Sequence, residues 1–202
     1  KILTTAAALK FLGSNYRFAT RIYTNGILEK ETLKGNLYIK GSGDPKLVTE
    51  QLWLMVNELR NLPIKRIEGN IIADDTFFDN QKRIKTWIKN PGAQAYEASL
   101  GALSFNFNTV KVYVSPGKKV GDRPIIVIEP KNEYIKLENN AQTLPLGKRR
   151  RLIVNRVGKE NHDLITVSGG INIGQPRAQY FLNITNPIQY ALNVFKSYIE
   201  LS

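Results

Sequence analysis

The sequence predicts a mixed α+β chain, and three observations carry that expectation. Helical apolar spacing occurs in separate stretches near the two ends and around residue 52. Strict apolar–polar alternation marks Val110-Lys-Val-Tyr-Val114 as a half-buried strand. Glycine, proline and asparagine cut the middle of the chain into short pieces, as strand-rich segments require.

The opening stretch from Lys1 to Gly13 is apolar almost all round, through Ile2, Leu3, Ala6, Ala7, Leu9 and Leu12. A helix of that composition is expected to be buried in a larger body. It ends properly at Gly13 but has no capping side chain before its apolar positions, which suggests a fragment cut through an element. Strand-like runs follow at 16–24 and 32–40, with Asn25-Gly26 as the turn signal between them. Gly41-Ser-Gly-Asp-Pro45 breaks the chain. Thr49 is expected to cap a helix whose Leu52, Met55, Val56 and Leu59 share one face, and Pro63 ends it. Residues 68–74 read as a strand running into an acidic turn, and 79–100 as a long loop around Trp87. The alternating strand closes at Ser115-Pro-Gly117, and further strands are expected at 125–128, 134–137, 152–157, 164–167 and 179–183. Asn186-Pro187 opens a last helix, with Asn as cap and Pro at the first helical position. Its apolar face is Ile188, Ala191, Leu192, Phe195 and Ile199.

Composition removes whole classes of chemistry. The 202 residues contain no cysteine and one histidine, His162. Disulfide scaffolds, thiol catalysis and thiolate zinc sites are therefore excluded, as is any metal cluster needing two imidazoles. A Ser-His-Asp triad could use only His162, so lysine or a carboxylate is the expected base for hydrolysis. The formal charge of +12 points to an anionic partner without naming one. No cleavable signal pattern and no run of about 18 apolar residues is present, so at most peripheral membrane association is expected.

Several local features invite a functional reading. Gly41–Pro45 lacks the Gly-Lys-Ser/Thr of a phosphate loop and reads better as a rigid turn. The run Lys148-Arg-Arg-Arg151, near Arg156 and Lys159, reads first as a solvated loop and strand end, then as a surface for anionic polymers. Nucleic acid ranks third, because no aromatic residues interleave the run. Asp74, Asp75 and Asp79 lack the spacing of a calcium loop; a strand-end turn presenting one carboxylate to a cleft is expected there, with no metal. His162-Asp163 reads as a hairpin tip, and Trp87 as either a loop anchor or a stacking surface. Lys1 heads the apolar helix. A lysine buried there would lose hydration of its charge, and a neutral lysine one turn after a serine can act as that serine's base.

Beyond these features, the order of motifs resembles a known family. Lys1-Ile-Leu-Thr-Thr-Ala-Ala-Ala-Leu9, Leu12-Gly13, Tyr16-Arg-Phe18-x-Thr20, Leu33-Lys-Gly-Asn-Leu37, Gly41-Ser-Gly-Asp-Pro-x-Leu47 and Ile67-x-Gly-Asn-Ile71 occur in sequence. Gly101-Ala-Leu103, Asn108-x-Val110, Pro116-Gly117, Gly121-Asp122, Thr143 and Asn186-Pro187-x-x-Tyr190 continue it. The set resembles the DacB-type D-alanyl-D-alanine carboxypeptidases/endopeptidases, the penicillin-binding protein 4 group, over essentially the whole chain.

The resemblance implies a serine acyl-transfer enzyme of the bacterial cell envelope, periplasmic or otherwise extracytoplasmic, acting on peptidoglycan stem peptides and inhibited by β-lactams. The lysine of its S-x-x-K motif maps onto Lys1. The serine would lie three positions earlier, and neither S-x-N nor K-T-G occurs in the chain; Ser14-Asn15 does not fit S-x-N. The resemblance accordingly implies a fragment: a β-lactamase/transpeptidase-like helix at 1–14 followed by strand-rich inserted domains. The first would comprise 15–75 and 160–202, the second, nested, 76–159. An acidic residue of the insert that lines the cleft maps to Asp74, with Phe78 beside it, and the doubled acid makes Asp75 a rival. No metal, organic cofactor or nucleic acid is implied. The chain alone is expected to be inactive, and a non-catalytic module binding peptidoglycan or anionic envelope polymers is the alternative.

Overall fold

Gly26, Gly35 and Gly69 decide the shape of the first half. The computed structural model describes residues 1–83, 92–148 and 151–200. It opens with α1 (Ile2–Leu12) and then folds β1 (Arg21–Thr24), β2 (Ile27–Glu29), β3 (Thr32–Lys34) and β4 (Leu37–Lys40) into one long bent hairpin. β1 pairs antiparallel with β4, and β2 with β3. After α2 (Thr49–Arg60), β5 (Arg66–Glu68) and β6 (Ile71–Asp74) add a third strand, parallel to β3 and β4 respectively.

All three strands break at one level, each at a Gly/Asn pair. A Cβ on Gly69 would stand 2.0 Å from the Gly35 carbonyl oxygen, and one on Gly26 2.4 Å from the Lys34 oxygen. Only bare backbones can approach so closely. The asparagines then stitch the kink: Asn70 N–H donates to Asn36 Oδ1, and Asn36 N–H to Asn25 Oδ1, both at 2.9 Å. Asn25-Gly26 is thus a kink and not the expected hairpin turn. The turn is made at Lys30-Glu31, both with positive φ, and the runs read as 32–40 and 68–74 are each split in two.

The rest of the chain supplies β7 (Thr109–Ser115), β8 (Ile125–Glu129), β9 (Ile135–Asn139), β10 (Gln142–Leu144), β11 (Ile153–Gly158), β12 (Asp163–Ser168), β13 (Gly170–Asn172), β14 (Ala178–Asn183) and α3 (Pro187–Glu200). They form the sheets β14-β7-β8 and β11-β12-β9 and the parallel pair β10-β13. The expected alternation holds in β7, where Val110, Val112 and Val114 are fully buried. β10 and β13 have no counterpart in the sequence reading, being three-residue strands below the length at which periodicity registers. The hairpin β11–β12 runs across residue 160, where the sequence reading divides the inserted domains. α3 packs back on β6 and α2.

One continuous hydrophobic core joins Leu37, Ile39, Leu52 and Val56 to Val110, Val112, Ile165, Val194 and Phe195. Asn186 caps α3 as expected, its Oδ1 accepting from Gln189 N–H at 3.3 Å. Thr49, however, is the first residue of α2 and not its cap; its N–H is satisfied from elsewhere, by Asn106 Oδ1 at 3.0 Å.

The burial expected of the opening helix is not supplied by the described residues of this chain. Every residue of α1 is exposed, with Ile2, Leu3 and Phe11 more than 80% accessible at 86%, 86% and 82%. Its composition fits a partner, but no other described element covers it. Trp87, Arg149 and Arg150 lie outside the described residues, so the readings attached to them carry no structural account.

Candidate functional site

Two motifs of the family resemblance, Gly41–Leu47 and Gly101–Leu103, meet at the C-terminal ends of β4 and β6. These strands are parallel neighbours in the register Lys40↔Asp74. Partners in register project to the same face, so Lys40 Nζ reaches Asp74 Oδ2 at 2.8 Å. The Thr76 hydroxyl and amide donate to Asp74 Oδ1 at 2.6 and 2.9 Å. Lys40 first, then Thr76, stabilise the charged carboxylate and hold its pKa down to about 2.

Asp75, the next residue, points the other way and has a different environment. Its side chain is 8% exposed against 26% for Asp74. Oδ1 accepts from the buried Leu103 N–H at 2.6 Å, and Oδ2 pairs with Lys82. Asp75 therefore fastens the turn after β6 to the segment 101–103, while Asp74 remains at the surface of the turn.

Gly41–Pro45, read from sequence as a rigid turn, lies against both. Gly41 N–H donates to the Asp74 carbonyl, and Gly43 N–H to the Ala102 carbonyl at 2.8 Å. A Cβ on Gly41 would meet Ala102 O at 2.2 Å, and one on Gly43, at φ +82°, would meet the Phe78 ring at 2.5 Å. The Ser42 hydroxyl donates to Ala19 O and accepts from Ala19 N–H, tying in the chain that leads from α1. Asn108 Nδ2 braces the far side, donating to Ser99 O and Ser104 Oγ at 2.7 and 3.0 Å.

Phe78 is exposed, as is Phe77, with ring centroids 5.6 Å apart. Together with Asp79, Gln81, Lys82, Leu100 and Gly101 they line a shallow cavity of about 370 Å³. Asp74, Asp75 and Asp79 do not converge on a cation: the first two are held by lysines, and Asp79 accepts from Gln81 N–H. Among the described residues no group of three His or acidic side chains could hold a metal ion.

Lys1 is exposed at the head of α1, its carbonyl accepting from the Thr5 amide and hydroxyl. Among the described residues no hydrogen bond or ion pair joins it to the Asp74 turn. The structure thus brings Asp74, Asp75 and Phe78 together and leaves Lys1 separate.

Sequence reasoning missed a second polar knot. Arg156, grouped from sequence with the basic run, reaches inward. Its guanidinium donates to Thr185 Oγ1 at 2.9 Å, to the Gly92 and Asn183 carbonyls at 3.2 Å, and to Asn183 Oδ1. Asp163, fully buried, accepts from the Thr185 amide and hydroxyl at 2.7 and 2.5 Å. The tip of the β11–β12 hairpin is where the His162-Asp163 reading places it, but its aspartate clamps the approach to α3. No periodicity signals such a tie, because its partners lie 22 to 91 positions apart.

With three helices and several small sheets, the chain is of the mixed α+β class. Residues 1–202 match the D-Ala-D-Ala carboxypeptidase 3 (S13) family, and the chain belongs to it. It is 27% identical over 206 residues to the D-alanyl-D-alanine carboxypeptidase of Actinomadura sp. strain R39, covering 99% of this chain and 38% of that protein. It is 29% identical over 122 residues to D-alanyl-D-alanine carboxypeptidase DacB of Haemophilus influenzae, covering 60% of this chain and 26% of the relative. The fold matches the crystal structure of penicillin-binding protein 4 (dacB) from Haemophilus influenzae with a TM-score of 0.78 at 22% identity, over 99% of this chain and 44% of that one. The same protein complexed with a β-lactam matches with a TM-score of 0.67. The chain therefore spans less than half the length of these relatives. No described helix is long and apolar enough to cross a membrane.

Proposed function

We propose that this chain serves a serine D-Ala-D-Ala carboxypeptidase/endopeptidase acting on peptidoglycan stem peptides in the extracytoplasmic space. In this reading α1 is the transpeptidase-like helix, and the remainder is its inserted strand-rich region. The first insert would comprise 15–75 and 160–202, with 76–159 nested between them, and the packing of α3 on β6 and α2 supports joining the two outer segments.

In the proposed reaction a serine one turn before Lys1 attacks the penultimate D-Ala carbonyl carbon. Lys1 Nζ accepts the serine proton, and the terminal D-Ala leaves as the amine, taking up a proton. Water then cleaves the serine ester and releases the shortened peptide. β-Lactams would acylate the same serine.

Within the chain, Asp74 is the proposed substrate-facing acid, and one observation carries the choice: it is the more exposed of the two acids, whereas Asp75 is consumed by Leu103 N–H and Lys82. A carboxylate kept ionised can meet a cationic group on a stem peptide, and exposed Phe78 offers an apolar wall beside it.

Labelling with a fluorescent penicillin tests the reading. A longer gene product carrying the serine should label and lose the label when that serine becomes alanine, while the 202-residue chain should not label. Failure of the longer product to label removes the acyl-transfer reading. In that protein Asp74→Asn should raise KM for stem peptides bearing a free side-chain amine and leave penicillin acylation unchanged; equal KM values remove Asp74 from substrate contact.

A further inference from the structure

A second concave feature, sharing no residue with the Asp74 turn, opens between β10–β13, the start of β11 and the start of β14. Two glycines make it. Gly169 has φ +85°, and a Cβ there would stand 1.9 Å from the Arg151 carbonyl oxygen. A Cβ on Gly170 would stand 2.4 Å from Leu144 Cδ1. Bare backbone at Gly169 lets the Arg151 segment lie directly against the β12–β13 turn, and at Gly170 it admits the Leu144 side chain. The cleft beside them measures about 570 Å³.

Its lining is chemically one-sided. Lys148, Arg151 and Arg177 line it and no carboxylate does. Among the described residues none of these three cations has an ion-pair partner, whereas Lys34, Lys40, Lys65, Lys82 and Lys111 each sit on an acid. Gln175 also lines the cleft; its Oε1 accepts from Asn172 N–H at 3.0 Å, and its amide nitrogen is a further donor. Arg177 is held in place by stacking, its guanidinium carbon 3.3 Å from the Tyr113 ring centroid. Stacking leaves the guanidinium edge, with its forked N–H groups, open to an anion.

We propose that this cleft binds a linear polyanion carrying repeated phosphodiester groups. Three cations supplied by two segments, in a space far larger than one phosphate, fit a chain of anions better than a single ion. The guanidinium fork matches phosphate oxygens. Nucleic acid fits less well, because Arg177 covers the Tyr113 ring and half-buried Tyr180 is the one aromatic residue lining the cleft, too few rings to stack successive bases. A bilayer is a poorer fit to a concave polar cleft than to an apolar face. The inference does not depend on the acyl-transfer reading, and penicillin labelling is silent on it.

Fluorescence anisotropy of the full chain with a labelled poly(glycerol phosphate) oligomer tests the proposal, with a single-stranded DNA oligomer and anionic phospholipid vesicles as parallel arms. Three contacts predict a slope of about −2 in log affinity against log salt, at roughly 0.7 per phosphate contact on a single strand. Lys148→Gln, Arg151→Gln and Arg177→Gln should each weaken binding several-fold and flatten the slope by about 0.7, and the triple variant should not bind. Lys136→Gln, an exposed residue outside the cleft with the same change in net charge, should stay within about twofold. Tyr113→Ala keeps every charge but frees Arg177, and should also weaken binding. Urea midpoints equal to the parent's exclude unfolding as the cause. No binding at low salt, a Lys136→Gln loss equal to that of Arg151→Gln, or tighter binding of DNA or vesicles overturns the proposal.

Discussion

Replacing Asp75 by alanine removes the acceptor of one buried amide and the partner of one lysine, and the two losses have different sizes. Leu103 is 0% exposed, and its N–H donates to Asp75 Oδ1. Left without an acceptor or water, that N–H costs about 1–3 kcal/mol. Lys82 is 36% exposed and can rehydrate, which limits its share to about 1 kcal/mol or less. Asp75→Ala should therefore destabilise the chain by about 3 kcal/mol. Asp75→Asn keeps an oxygen for Leu103 N–H and loses only the charge, so about 1 kcal/mol is expected. Asp74→Ala breaks a bridge to a lysine that is 38% exposed and should also cost about 1 kcal/mol. Urea unfolding at neutral pH reads the series; with a slope of about 2–3 kcal/mol/M, Asp75→Ala should lower the midpoint by about 1 M. Asp75→Ala and Asp75→Asn agreeing within about 0.5 kcal/mol would refute the amide argument. So would Asp74→Ala costing more than Asp75→Ala.

The acid limb of stability should carry the mark of Asp74. Its folded pKa lies at about 2, below the ordinary 3.8, so its contribution is complete above the ordinary value and fades as pH falls toward 2. Unfolding free energies from urea titrations between pH 5 and pH 2 should fall less in Asp74→Asn, by about 1 kcal/mol after allowing for solvent around Lys40; an unchanged acid limb contradicts the bridge. At the kink, Gly69→Ala puts a methyl 2.0 Å from the Gly35 oxygen and should cost at least about 2 kcal/mol in thermal or urea unfolding. A neutral result means the three strands do not cross as described. In the chain alone, α1 is 11 residues long with no buried side chain, too short to hold helix unaided. Its amides should exchange with solvent deuterium within seconds, while those of β7 stay protected; slow exchange throughout α1 would show that it has a packing partner.

Much of the architecture was legible because it depends on local spacing. The Val110-Val112-Val114 alternation, the Asn186-Pro187 start of α3 and the apolar positions of α2 each follow from one periodicity and one capping rule. The Asn25-Gly26 turn did not form, because Gly35-Asn36 and Gly69-Asn70 stand beside it. Three close-approach pairs at one level favour a crossing of backbones over a reversal of one chain. Thr49 lost its capping role to Asn106, 57 positions away, a partner that no local rule supplies. The candidate site shows the same division. Asp74, Asp75 and Phe78 could be picked out as types in a pattern, but Lys40, Ser42, Lys82, Ala102 and Leu103 join them only when β4 and β6 lie in parallel register.

By itself, the sequence determined the mixed class, most of the longer elements, the exclusion of cysteine and multi-histidine chemistry, and the order of motifs by which the family resemblance arose. Those depend on residue type and on spacing within a few turns. Only the tertiary structure decided which acid is buried and which stays partly accessible, since neighbouring residues on a strand end face opposite sides. It alone turned Arg156 from a surface charge into an internal tie and left Lys148, Arg151 and Arg177 facing one cleft. Burial and charge pairing are set by what other segments bring within hydrogen-bonding reach, and that is a property of the folded chain.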